Sequence, residues 1–435
     1  MRFIADFHIH SKYSRAVSRD MVLEELDRWA DDKGILVMGT GDFTHPGWFK
    51  ELKQKLEPAE SGLFKLKSYL KKKTIKDTLA DTRFLPTVEI SCIYSRGGRT
   101  RRVHNIILAP DLETVEKINT QLSWIGNLRS DGRPILGLDS EELLKIVLNV
   151  NPEAAVVPAH CWTPWFSVFG SMSGFDSLEE CFGEHTKHIF AVETGLSSDP
   201  ANNWRLSKLD NIALISNSDS HSLERIGREA NIFDAELSYA GIIAGIKNSI
   251  PRQSASDQRE SASRLAATVE FFPEEGKYHY DGHRACGIYW PPEETKKNKG
   301  ICTKCGKPVT MGVMNRVDKL ADRPAGFQDS RRAPFVNLVA LDQIIGEALN
   351  LGSKTKAVRK EYDKLIKTFK SELNILLNVS PSDLARAAKP EIAEGIERVR
   401  NGRLAIRPGY DGEYGEIKIF TDEDRKRISN QVSLF

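Results

Sequence analysis

Seven short apolar segments recur through residues 1–250, and helix-like patterns lie between most of them. They fall at 3–9, 35–38, 84–90, 103–108, 154–158, 189–192 and 212–215. Alternation of this kind predicts a mostly parallel sheet or barrel wrapped by helices, an α/β fold. One helix is expected after Ser18 as N-cap, with Met21, Val22, Leu26 and Trp29 at helical spacing and Gly34 as its stop. Asp139 with Glu142 reads as a capping box for another.

Polar groups gather where these strands end. His8-x-His10 closes the first, and a period of two puts both rings on one face. Asp42 and His45 follow the second, Glu89 ends the third, and His104 opens the fourth. His160, Glu193 and the Asp219-x-His221 pair follow the last three. In a parallel barrel such ends converge on one face, where ligands and catalytic groups collect. Imidazole with carboxylate suits Zn, Mn or Fe. So many groups exceed the needs of one ion and suit two or three that share a carboxylate, an arrangement fitted to phosphoryl chemistry. A single histidine at a strand end is more often an ordinary satisfied polar residue; the set is what carries the reading. Glu193 is open between ligand and support for a ligand.

A second metal site is expected further on. His283-x2-Cys286 and Cys302-x2-Cys305 supply one histidine and three thiols, a set suited to a closed structural zinc, with His279 as a rival fourth ligand. Charge is unevenly spread. Residues 1–250 carry 30 basic and 34 acidic side chains, whereas 251–435 carry 32 and 26, so the total of +2 conceals two opposed regions. Residues 277–335 alone hold 12 Lys/Arg against 6 Asp/Glu, which suggests a nucleic-acid backbone as partner. Arg99, Arg101 and Arg102, near His104, are candidate DNA contacts. So are Trp162, Trp165 and Phe169 in the aromatic loop after His160. Core packing is the plain alternative for that loop, and a solvated helix face is the expectation for the lysines at 65–76. No apolar run approaches the ~18 residues of a membrane span, and Met1-Arg2-Phe3-Ile4-Ala5-Asp6 lacks a signal-peptide layout. A cytoplasmic, nucleoid-associated protein is expected.

The strings Phe7-His8-Ile9-His10-Ser11, Gly39-Thr40-Gly41-Asp42 and Ser218-Asp219-Ser220-His221, with Glu89, His104 and His160, resemble the polymerase-and-histidinol-phosphatase (PHP) family. That resemblance implies a distorted (β/α)7 barrel over residues 1–250 with a di- or trinuclear centre of Zn, Mn or Mg. His8, His10, Glu89 and Asp219 would hold one ion; Glu89, His104 and His160 a second; His221, with Asp42 or His45, a third. The family's usual Thr-Asp-His is replaced here by Asp42-Phe43, with His45 only later. Tyr278-His279-Tyr280-Asp281-Gly282-His283, Asn315-Arg316-Val317 and Arg407-Pro408-Gly409-Tyr410-Asp411-Gly412 extend the likeness. Together the strings resemble the endonuclease Q family over essentially the full length. This implies nicking of double-stranded DNA 5′ of deaminated bases (uracil, hypoxanthine, xanthine) and abasic sites, with Asp219, His8 and Glu89 central to catalysis. The competing readings are a small-phosphomonoester phosphatase and a non-catalytic DNA-binding adaptor. Beyond the barrel, a zinc module is expected at 265–335, a helical region at 336–420 and a tail at 421–435. The tail's Gln431, Leu434 and Phe435 resemble the pentapeptide that binds the bacterial sliding clamp.

Overall fold

The computed structural model describes residues 1–250 and 263–425. An eight-stranded sheet runs in the order Phe335–Asn337, Arg264–Glu270, Ala230–Asp234, Arg2–Asp6, Val37–Gly39, Arg83–Leu85, Phe64–Leu66, Leu56–Pro58. A four-stranded sheet runs Ile135–Leu136, Thr87–Arg96, Arg99–Leu108, Ala155–Pro158, and Ala191–Glu193 pairs with Ala213–Ile215. All seven expected segments contain strand, but the pairing is mixed rather than mostly parallel. Arg2–Asp6, Val37–Gly39 and Arg83–Leu85 are parallel neighbours, as are Ala191–Glu193 and Ala213–Ile215. Thr87–Arg96 and Arg99–Leu108 form a ten-residue antiparallel hairpin. Its turn is Gly97-Gly98, both with positive φ, the conformation a two-residue hairpin loop demands. The single strand expected at 84–90 is divided by Pro86, which has no N–H for a ladder, and its halves join different sheets.

The helix Leu23–Lys33 stops at Gly34, where φ is 93°. Ser18 does not cap it; its hydroxyl accepts from Asp20 N in the preceding turn. Asp139 caps Ser140–Val150 through Glu141 N at 2.9 Å. The helical region expected at 336–420 is divided into several short helices. Phe335–Asn337 is strand, Lys370 at φ 76° separates Lys356–Phe369 from Glu372–Leu377, and Pro390 opens a new helix after Pro381–Ala387. These helices share one buried apolar cluster with the first region, from Ile9, Phe43 and Trp48 to Ile344, Leu365 and Ile396. Lys33 and Tyr362 both bond Glu372, at 2.6 and 2.7 Å, across that junction. None of the described helices is long and apolar enough to cross a membrane.

Candidate metal centre and its cleft

The first strand ends at Asp6, and His8 and His10 lie just beyond it. Backbone bonds with Ser220 (His10 N to Ser220 O, 3.0 Å) bring the Asp219 loop alongside. Asp42, His160 and Asp219 have φ of 49°, 30° and 45°. Such left-handed backbone is uncommon outside glycine and marks places where surrounding structure dictates how a side chain is aimed. Space is tight here. A Cβ at Gly195 would stand 2.4 Å from His160 Cβ, so only glycine fits behind that ring.

Two groups of side chains converge. His8, His10, Glu89 and Asp219 form one and Glu89, His104 and His160 the other, with ligand atoms in each group within 4.8 Å of one another. Glu89 belongs to both. Its Oε1 is 2.6 Å from His104 Nδ1 and 2.9 Å from His160 Nε2. Its Oε2 is 3.3 Å from His10 Nε2 and 3.5 Å from His8 Nε2. Asp219 Oδ1 lies 3.1 Å from His10 Nε2. His8 Nε2 is buried and has no hydrogen-bond partner, although it faces two carboxylates. An orphaned buried nitrogen is rare unless something coordinates it, and the donor set of imidazoles and carboxylates suits divalent transition metals. The residues therefore fit divalent metal, and Glu89 is common to both groups.

The charge balance agrees. Burial works against a charged His8, but Glu193, Glu89 and Asp219 overcome it and hold the imidazole well above its ordinary value. His10 is raised in the same way, against burial, by Asp219, Asp42 and Glu89. Against the same burial, His104, His8 and Arg133 hold Glu89 well below the carboxylate range. Burial pushes His104 down to about 4, against the pull of Glu89.

Further polar groups hold the ligands. Both Glu193 oxygens face His8 Nδ1 at 3.0 and 3.1 Å. Glu193 also accepts from Asn217 Nδ2 at 2.9 Å and from the His160 amide at 2.7 Å. It thus orients a side chain in one group and a backbone in the other. Asp42 accepts from His10 Nδ1 at 3.1 Å, and Ser11 and Ser14 hold its other oxygen. His45 does not join these groups. Its Nδ1 accepts from Gly47 N at 3.2 Å and its ring stacks on Tyr13. His221 lies alongside, its ring 4.6 Å from that of His10 and its Nδ1 2.9 Å from the Asp219 carbonyl.

A cleft of about 380 Å³ opens over the site, lined by His104, His160, Asp219, Trp165 and Phe166 among others. Of the aromatic candidates only Trp165 reaches it. Trp162 and Phe169 are fully buried against each other, and Trp162 Nε1 donates to Asn203 at 2.8 Å, so neither can touch a ligand directly. Arg99 is exposed at the hairpin tip. Arg101 bonds the Gly174 carbonyl and lies over Phe175, while Arg102 sits over Phe166 at the cleft wall. Arg15, Asp131 and Arg133 also line the cleft. No sequence pattern had singled them out.

His283, Cys286, Cys302 and Cys305 form the third convergent group. His283 and Cys286 flank the turn after Asp281–His283, while Cys302 N and Gly306 N close a tight knuckle on Lys307 O and Cys302 O. Burial opposes ionisation of Cys302, but the Cys305 and Lys304 amides point at its sulfur and bring the thiol down to about 6. That is the setting of a metal thiolate. His279 stays outside the group, buried beside Tyr280. Gln431, Leu434 and Phe435 lie outside the described residues.

The fold and these clusters define an α/β metal-site protein with a second, cysteine-rich module. Its relatives narrow this further. The chain superimposes on the lesion-specific endonuclease PfuEndoQ from Pyrococcus furiosus with a TM-score of 0.81 and 29% identity, covering 98% of this chain and 99% of that one. Endonuclease Q in complex with a 27-mer duplex carrying an abasic lesion matches at a TM-score of 0.80 and 29% identity, over 98% of both chains. Over its full length this chain is similar in fold to endonuclease Q, a DNA-acting hydrolase. The MJ0043 C-terminal domain family matches residues 340–403, the helical region. The uncharacterized protein MJ0043 of Methanocaldococcus jannaschii is 33% identical over 260 residues, 59% of this chain. The chain spans only 31% of that relative's length. The uncharacterized protein YqxK of Bacillus subtilis is 29% identical over 73% of this chain and 74% of its own.

Proposed function

We propose that this chain is a metal-dependent endodeoxyribonuclease that nicks duplex DNA on the 5′ side of deaminated bases (uracil, hypoxanthine, xanthine) and abasic sites. One observation carries the reading: Glu89 is shared by two ligand groups at the base of a cleft. It does so in a chain that matches, end to end, an endonuclease solved on a lesion-bearing duplex. In this reading the strand ends form the rim of a PHP-type barrel. His8, His10, Glu89 and Asp219 hold one divalent ion and Glu89, His104 and His160 a second, with His221 alongside. Bound there, such ions supply Lewis-acid activation of water and neutralise charge developing on the phosphate. Asp219, whose carboxylate reaches the cleft, orients the attacking water. His283, Cys286, Cys302 and Cys305 hold a structural zinc. Residues 431–435 dock on a bacterial sliding clamp.

The test incubates the protein and Mn²⁺, Mg²⁺ or Zn²⁺ with duplexes containing uracil, hypoxanthine, an abasic site or no lesion. A nick only 5′ of the lesion is expected. Phosphate release from a monoester without nicking would return the chain to the phosphatase reading, and binding without cleavage to the adaptor. Capture on immobilised clamp is expected for the full chain and lost without residues 431–435; equal recovery sinks the tail's assignment.

A further inference from the structure

Beside the ligand groups, the cleft carries two arginines, Arg15 and Arg133. Arg133 sets Nη1 3.1 Å from Glu89 Oε2, the oxygen that also faces His8 and His10. Glu89 is its only side-chain acceptor among the described residues. Arg15, 76% exposed, extends over the same cleft. The two come from segments more than a hundred residues apart, yet one carboxylate positions both. Asp131 Oδ1 accepts from the Arg15 and Arg133 amides, each at 3.2 Å, and Asp131 Oδ2 is 3.4 Å from Arg15 Nε.

The loop that bears Arg133 cannot drift. Gly132 N donates to Tyr13 O at 3.0 Å, and a Cβ at Gly132 would stand 2.3 Å from Asp42 Oδ2 and 2.4 Å from Ser14 Oγ. Asp42 is the carboxylate that orients His10. The arginine loop and the ligand group therefore share one support.

Arg133 is most stable where it is only while Glu89 carries uncompensated negative charge. Cations held by Glu89 would take up that charge and repel the guanidinium, which then needs another anion within reach. Its planar donor fork matches a phosphate's oxygens. Arg15 stands on the same rim to meet the same group or its neighbour along a strand. We propose that Arg15 and Arg133, set by Asp131, form a clamp for backbone phosphates: Arg133 on the scissile phosphodiester, Arg15 on an adjacent one. This deepens the endonuclease reading and rests on it. Asp131 is a positioning residue.

The test uses the full chain and an abasic duplex. Arg133→Ala is expected to slow single-turnover nicking by about 10²–10³-fold, the scale of losing one preorganised donor at developing charge, with bound metal and unfolding temperature unchanged. Arg15→Ala is expected to lower the slope of log affinity against log salt by about one, as for one lost phosphate contact. Asp131→Ala is expected to do both in part, and Asp131→Asn, which keeps an acceptor for the two amides, to restore most of the rate. Wild-type turnover in Arg133→Ala overturns the clamp. So does loss of metal in step with loss of rate, since Arg133 would then merely support Glu89. Inorganic phosphate serves as the small competitor: it should inhibit the wild type more strongly than Arg133→Ala, and equal inhibition counts against the clamp. If the wild type nicks nothing, the functional reading fails by itself. Binding still judges the clamp, and identical affinity and salt slope in the Arg15→Ala/Arg133→Ala double variant would overturn it.

Discussion

Replacing Glu193 by Gln isolates what one buried carboxylate does for two ligand groups. Its side chain is wholly buried, and both oxygens accept only: from His8 Nδ1 and Asn217 Nδ2 on one side, from the His160 amide on the other. Glutamine keeps the shape but has one acceptor and one donor. With its NH₂ toward His160, two N–H groups face each other at 2.7 Å. Turned round, the NH₂ meets His8 and Asn217 instead. Either way a buried donor is unpaired, at about 1–3 kcal/mol, and a charge-assisted bond to His8 is lost, at about 1.5–3 kcal/mol. Stability should therefore fall by roughly 2–5 kcal/mol, the sum of those two ranges reduced for relaxation. Part of that loss should appear as metal affinity, because carboxylates behind ligand histidines are typically worth about 10–100-fold. Competition titration with a chromogenic chelator reads the affinity and thermal unfolding with and without metal reads the stability. A variant that matches the wild type in both would refute the role assigned to Glu193.

Two other perturbations test the core and the cysteine-rich module. Burial raises Glu270 to about 8, so it is protonated in the native fold and ionised when unfolded anywhere between its ordinary 4.5 and that value. A raised value means that its contribution is complete below 4.5 and is lost as pH rises to about 8. Glu270→Gln should therefore gain stability over the wild type as pH rises from 5 to 8 in urea unfolding; a pH-independent difference would contradict this. Cys302→Ser should release one zinc fewer than the wild type when both are denatured with a thiol reagent, and its 283–306 segment should be cleaved faster by protease. Equal zinc content would remove the structural-zinc assignment.

Local spacing made much of this molecule legible. His8 and His10, the Cys302 and Cys305 pair, and the positions of His160 and Asp219 beyond strand ends are short-range signals, and the structure brings them together as groups; Glu89, expected at a strand end, joins them from inside Thr87–Arg96. What escaped depends on contacts distant in sequence. Arg15, Asp131 and Arg133 lie in loops without periodicity, and only folding sets them side by side. The strand Ala230–Asp234 is hidden by Asn231, which looks misplaced in an apolar run. Its amide bonds the Ser216 carbonyl at 2.6 Å and its oxygen accepts from Ser216 N at 3.0 Å, so the polar residue staples two strands. Composition could not tell which rings of the 162–175 loop face inward, and Trp162 and Phe169 prove to be core.

Charge counting misleads in a comparable way. The excess of basic residues at 277–335 looks like a broad surface for DNA, yet several of its cations serve the fold. Arg316 is buried on the carbonyls of Phe169 and Phe175 and on Asp176. Arg323 grips Asp210 with two bonds, and Arg332 caps the carbonyls of Leu209 and Ile212. Lys299, Lys304 and Lys307 are exposed around the cysteine knuckle, although Lys304 Nζ also donates to the Cys286 carbonyl at 2.8 Å. If the cysteine-rich module meets the DNA backbone, these three carry the contact. Changing them together to Ser should reduce the slope of log affinity against log salt by about 3, close to 0.9 for each phosphate contact, with the fold intact. Arg316→Ser should instead lower the unfolding temperature, since it leaves Asp176 and two carbonyls without their donor. A triple variant with an unchanged salt slope would place the DNA elsewhere, and the cleft arginines would then have to supply the electrostatic contact.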